Sequence, residues 1–276
     1  MDTGAVLTIA KQELAINVRN KWTIIFAVVF GLLVVTIAYV GIVAEGFSGM
    51  QNFTRTSASL LNLVLYIVPL VALTMGTLSF TGDKGSTELL FAQPLSRAEV
   101  LLGKWLGVFL SIALSTLIGF ALAGVVLVTA GGVEGMARYA LFVGLSLALS
   151  LAFLSLAVLT ATFSKRKARA FGISLFLWFF FVLFYDLLTL GGSLLFQGRS
   201  ANVFLFLSLF GNPVDMVRVA VLILLDNVTI FGAAGAAMLR FFGGQGTSIA
   251  LLIAGLALWI AGPMVVAGRM VRRQDI

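Results

Sequence analysis

Between Thr81 and Lys104 the chain reads TGDKGSTELLFAQPLSRAEVLLGK, and this stretch gathers Asp83, Lys84, Glu88, Arg97, Glu99 and Lys104. Carboxylates and basic groups spaced along a partly amphipathic segment suit charge-assisted hydrogen bonds to another protein. Bond-breaking chemistry is harder to find. TGDKGST has the look of a phosphate loop, but the pattern G-x-x-x-x-G-K-[ST] is missing: Trp105 follows Gly103-Lys104, and Ala98 stands where the first glycine belongs. This chain is therefore not expected to hydrolyse ATP itself. The sequence has no His and no Cys, which removes zinc sites, Cys and His nucleophiles, His proton relays and disulfides. No GxSxG elbow occurs either.

Two other groups of residues could do chemistry. Met50, Met136, Met216 and Met238 carry thioethers of the kind that select Cu(I). They stand singly, without MxM or MxxM spacing, and read as core or interface packing. Asp186 and Asp226 fall at or beyond the end of an apolar run, where an ionisable residue is a functional candidate by default. Pairing with Arg199, Arg218 or Arg240 would satisfy them structurally. No catalytic residue, metal site or cofactor is expected from these patterns.

The elements that must position these residues are membrane helices. Of 276 residues, 61% are hydrophobic and only 11% charged, against about 25% charged in an ordinary soluble domain. No polar stretch is long enough for a soluble catalytic domain. About 20 apolar residues cross a bilayer core as a helix. Six runs qualify: Trp22 to Val43, Ser57 to Phe80, Trp105 to Ala130, Tyr139 to Phe163, Phe171 to Leu190 and Ile249 to Gly268. The expectation is one all-α integral membrane domain over residues 1–276 with both termini on one side. A pI near 10.1 does not imply nucleic acid, because the basic residues cluster at the ends of apolar runs. Thirteen Lys and Arg, including the SKRKAR loop, flank the runs on the side of the termini, and five flank the other. The richer side is expected to be cytoplasmic. Lys11, Glu13, Arg19 and Lys21 precede the first run without a cleavage site, which argues against a signal peptide.

Three smaller elements complete the expectation. Leu7, Ala10, Leu14 and Val18 recur at near-helical spacing, as in a helix lying along the membrane surface. Within the polar island, ELLFAQ reads as a short helix stopped by Pro94, and Ser96 with Glu99 forms a capping box for the next helix. The island is thus helix, proline break, helix. The 58 residues from Gly191 to Ser248 are too apolar to be a solvated domain, yet their apolar stretches are too short to span. They read as a helical hairpin on the outer face, with a helix opening after Asn212-Pro213 and Asp215 near its positive end. The spacing Gly103-x-x-x-Gly107 permits close helix contact.

An acidic residue in a short helix, followed by ELL.AQP.SR…LLGK between the second and third of six spans, resembles the ABC-2 type transporter permeases. The resemblance covers the whole chain and implies that the island is a coupling helix docking into an ATPase subunit. Glu88 matches the acidic position, Pro94 and Arg97 the P.SR element, and Leu89, Leu90 and Phe91 would supply apolar anchoring. Such permeases work in pairs, which implies a homodimer with two ATPase chains. RTSASLLNLVLYIVPLVAL, LLFAQPLSRAEVLLGKWLG and GNPVDMVRVAVL resemble, more narrowly, the NosY-type permeases of nitrous oxide reductase maturation. That likeness implies the bacterial inner membrane, both termini cytoplasmic, and a periplasmic copper-handling β-helical partner met by Asn212, Pro213, Asp215 and Arg218. Export of a lipid, drug or peptide is an alternative task. An ion-coupled secondary transporter is an alternative of another class, but it would show inverted repeats and midplane ionisable residues, and neither is found.

Overall fold

A computed structural model describes residues 2–43, 49–81, 96–131, 135–164, 166–196, 198–225 and 244–273. These residues form helices and no strand: α1 (Thr3–Val18), α2 (Lys21–Val43), α3 (Gly49–Phe80), α4 (Arg97–Gly131), α5 (Met136–Phe163), α6 (Lys167–Phe179), a π-turn (Phe180–Phe184), α7 (Tyr185–Ser193), α8 (Arg199–Phe210), α9 (Pro213–Leu224) and α10 (Gln245–Arg273). Six helices among the described residues are long and apolar enough to cross a membrane, α6, the π-turn and α7 counting as one. The fold is an all-α, multi-pass membrane bundle.

Spacing decides which side of each helix turns inward. Along α2, Phe26, Phe30, Val34 and Ala38 are buried at four-residue intervals, while Ile24, Ile25, Val28, Val29 and Leu32 are half exposed or more. The inward seam meets α4 where Gly31 faces Gly119. A Cβ on Gly119 would stand 3.0 Å from the Phe30 ring and 3.2 Å from the Gly31 Cα. Phe30, Phe120 and Phe142 pack edge to face at 5.4–5.5 Å between centroids, and the Tyr139 hydroxyl donates to the Phe120 carbonyl at 2.8 Å. Lipid tails are as apolar as leucine, so contacts like these, rather than hydrophobicity, hold membrane helices to one another. The helix α5 is the central post, with 72% of its apolar window buried against 17% for α10. In α3, Pro69 removes one N–H from the helical ladder. One turn earlier, the Tyr66 carbonyl accepts the Trp178 indole N–H at 2.9 Å.

The first helix is separate from the first span. Asn20 breaks the chain between them, its side chain accepting the Trp22 amide at 3.0 Å. Of the expected apolar stripe, Ala10 turns to the bundle, whereas Leu7 and Val18 do not. Leu7 and Val18 are exposed, and Ile9, Ala10 and Asn17 are buried, because this face is chosen by the shape of α4. A Cβ on Gly103 would lie 2.7 Å from the Ile9 Cβ, and one on Gly107 would lie 2.5 Å from the Glu13 Cβ and 2.6 Å from the Ala10 carbonyl oxygen. The Gly103-x-x-x-Gly107 spacing is thus filled by α1 of the same chain. Gly107→Ala should cost about 1–3 kcal/mol by overpacking and loosen α1 first. Faster amide exchange confined to α1 checks this; exchange rising equally in α5 would count against it.

Candidate functional site

Among the described residues no cluster of three or more carboxylates could hold a metal ion. What the structure builds are two polar nodes, one at the end bearing the chain termini and one beside the bend between α8 and α9.

The first node fastens both roots of the polar island. Glu88, Leu89, Leu90, Phe91 and Pro94, together with the ELLFAQ helix, lie outside the described residues. On the Ser96 side, the Ser96 amide donates to Glu99 Oε2 at 2.9 Å, and the Glu99 amide to Ser96 Oγ at 3.3 Å. This is the capping box read from the sequence. The other carboxylate oxygen of Glu99 accepts the Asp2 amide at 2.7 Å, which ties the start of α1 to the start of α4. Arg97 donates through Nη1 to the Val271 carbonyl at 3.0 Å, which ties α4 to the end of α10.

Glu13 serves the Thr81 side. Its Oε1 accepts the Ser79 hydroxyl at 2.5 Å and the Asn17 amide at 3.1 Å, with Lys104 Nζ 4.0 Å away. The same ammonium sits 5.6 Å from the centre of the Phe80 ring. The Glu13 side chain is only 13% exposed, so these contacts face little competition from water. Two residues before Ser79, Thr77 and Ser174 share a 2.6 Å hydrogen bond, and Ser174 meets Thr160 at 3.3 Å. The end of α3 is thereby joined to α1, α5 and α6. Glu13, Ser79 and Thr77 escaped sequence reasoning, although the paired glycines against which α1 packs, Gly107 facing Glu13, were a usable signal.

The second node surrounds the bend between α8 and α9, where the helix axes turn by 108°. The expected helix after Asn212-Pro213 is α9, with Pro213 in its first turn and the Asn212 side chain accepting the Val214 amide at 3.0 Å. Eight of its apolar side chains, Val214 and Ile223 among them, are buried. It packs on α5, α10 and α3, as irregular backbone at membrane depth requires. Asn212 and Pro213 are themselves buried, so they shape this corner from within. The Asn212 amide donates to the Phe181 carbonyl and to Asp215 Oδ2, each at 2.9 Å. Arg218 Nη1 reaches Asp215 Oδ1 at 2.7 Å and Asp186 Oδ2 at 3.0 Å. Of the arginines offered to Asp186 by the sequence, Arg218 is a partner; the Arg199 side chain, Asp226 and Arg240 lie outside what the structure describes. The Tyr185 hydroxyl donates to the Ser208 carbonyl at 2.6 Å, and the Trp259 indole to that of Phe210 at 3.0 Å. Met216 is buried with its sulfur against Gly255, in a packing role.

Each node thus joins several helices through side-chain hydrogen bonds and ion pairs. Residues 7–276 match the family described as ABC-2 family transporter protein. A relative from Pseudomonas aeruginosa, named probable ABC transporter permease protein NosY, is 37% identical over 278 residues, covering 98% of this chain and 99% of the relative. A relative of the same name from Stutzerimonas stutzeri is 34% identical over 277 residues, covering 98% of each. Sequence, bundle and relatives converge along almost the whole chain, and it belongs to the ABC-2 family of transporter proteins, as a permease subunit.

Proposed function

We propose that this permease couples ATP hydrolysis in a separate cytoplasmic ATPase chain to remodelling across the bacterial inner membrane, in the assembly of the copper site of nitrous oxide reductase. Two copies of the chain would pair with two ATPase subunits, both termini lying in the cytoplasm. ATP binding closes the ATPase pair and pushes the elbow around Glu88 to Ser96. The bundle rocks, and the outer hairpin carries the movement to a periplasmic copper-handling protein. Glu88 would make a charge-assisted contact to a basic group of the ATPase, with Leu89, Leu90 and Phe91 as apolar anchors. Pro94 and Arg97 would hold the elbow's angle.

The observation that carries this reading is the fastening of both island roots. Glu13 holds Ser79 and stands beside Lys104, while Arg97 reaches Val271. A push on the island is thus delivered to α1, α3, α4 and α10 together. On the outer side, Arg218 and Asp186 retain exposed edges, with 26% and 43% of their side chains accessible. Asn212, Pro213 and Asp215 would act by placing them.

Glu88→Lys reverses the charge at the proposed contact. Membrane insertion should be unchanged, while the ATPase no longer co-purifies in stoichiometric amount and the copper content of the reductase falls. Wild-type recovery of the ATPase with this variant would remove Glu88 from the interface. A chain purified from native membranes with no ATPase attached would remove the reading itself.

A further inference from the structure

The GNPVDMVRVAVL stretch has an internal use that the coupling reading leaves unassigned. In an α-helix the Tyr185 N–H would bond the Phe181 carbonyl, but here it bonds Phe180. The π-turn therefore shifts the ladder by one residue, and the Phe181 carbonyl meets the Asn212 amide. Turns of this kind occur mostly as single insertions, frequently at functional positions. A few residues on, Arg218 of α9 reaches back to Asp186 of α7 while holding Asp215 of its own helix. Asn212 and Arg218 of the NPVD..R pattern thus both bond one neighbour, the span formed by α6, the π-turn and α7, and Asp215 holds the two of them.

We propose that Asn212, Asp215 and Arg218, with Asp186, form a clasp that makes the bent pair α8–α9 one body with that span. The hairpin then follows the tilt of the span and does not swing open from it. Twelve-residue helices such as α8 and α9 are marginal alone, so their placement depends on neighbours. Asn212 is fully buried, and opening the clasp would strand its amide and the Phe181 carbonyl without water to replace their bond. These four are positioning residues: they decide where the outer surface goes when the span moves. The inference rests on the reading that motion is delivered outward.

Charge reversal tests it. Asp186 and Asp215 around Arg218 sum to a single negative charge. Arg218→Asp leaves three carboxylates facing one another, whereas Arg218→Asp with Asp186→Arg restores one guanidinium between two carboxylates. In the full-length permease in lipid nanodiscs, Arg218→Asp should raise amide exchange in α9 about tenfold or more. The double variant should return it to within about threefold of wild type. Asp186→Asn, milder and partly exposed, should raise it about threefold and serves where Arg218→Asp does not fold. Copper content of the reductase in cells should fall and recover in step. Unchanged α9 exchange in Arg218→Asp and Asp186→Asn would overturn the clasp. Exchange restored by the double variant without recovery of copper would overturn its part in transmission and leave Arg218 as a direct contact for the partner. The exchange arm uses neither ATPase nor nucleotide, so its failure is distinct from that of the coupling reading, which would show as wild-type copper loading that persists without the ATPase.

Discussion

Glu13→Ala is expected to destabilise the permease by about 2–4 kcal/mol and to detach α1 from the roots of the polar island. Two donors lose an acceptor, the Ser79 hydroxyl at 2.5 Å and the Asn17 amide at 3.1 Å, and the Lys104 ammonium loses a carboxylate 4.0 Å away. Asn17 keeps a second acceptor in the Glu13 main-chain carbonyl at 2.9 Å. Lys104, 20% exposed, is left with the face of Phe80. The carboxylate contact to Ser79 is charge-assisted and contributes most; the longer contact to Lys104 adds less. Glu13→Gln keeps an acceptor for Ser79 and loses only the charge, so it should cost less than half as much. Unfolding of the purified permease measures both, and a cycle with Lys104→Ala isolates their coupling. Equal stability of wild type and Glu13→Ala would mean that α1 is held by the glycine contacts alone. Under the coupling reading, Glu13→Ala should also lower ATPase-dependent output more than its stability loss explains, because α1 would no longer move with the island.

Much of the bundle was legible because water and lipid sort residues by length and polarity. A run such as Trp22 to Val43 can hardly be anything other than a span, and the Ser96–Glu99 capping box needs only local spacing. Asn212-Pro213 announced α9 for the same local reason. Legibility failed where protein and lipid look alike to a side chain. Apolar spacing marked Leu7, Ala10, Leu14 and Val18 as one stripe of α1 but did not tell which residues meet the bundle, and those are Ile9, Ala10, Glu13 and Asn17. The inward choice is made by size, since Gly103 and Gly107 admit a close helix. Polarity misled in the same way at Asn212, which reads as a surface residue and is buried because each end of its amide finds a partner. The π-turn left no mark in FFVLF, since a one-residue shift in the ladder changes neither composition nor length.

The bend at Gly211 gives the other large effect. Gly211→Val is expected to cost about 2–4 kcal/mol, combining overpacking with loss of one hydrogen bond. The glycine lies in ordinary right-handed helical conformation, φ −77° and ψ −11°, so backbone strain contributes nothing. The penalty is steric: a Cβ at this position would collide with the Tyr185 hydroxyl, with the ring carbon Cζ 3.1 Å away and the Ser208 carbonyl oxygen 3.2 Å away. That hydroxyl cannot retreat without giving up its 2.6 Å bond to Ser208, one of the contacts that hold α8 to α7. The obstacle is therefore a single oxygen, which can be removed by itself. Tyr185→Phe alone should cost about 1 kcal/mol for the lost bond. Combined with Gly211→Ala it should make the alanine cheaper by about 1–2 kcal/mol than it is in the wild-type background. Stability of the two single variants and the double variant closes the cycle. Strict additivity would mean that the bend relaxes away from α7 on its own, and that the oxygen of Tyr185 does not fix where α8 ends.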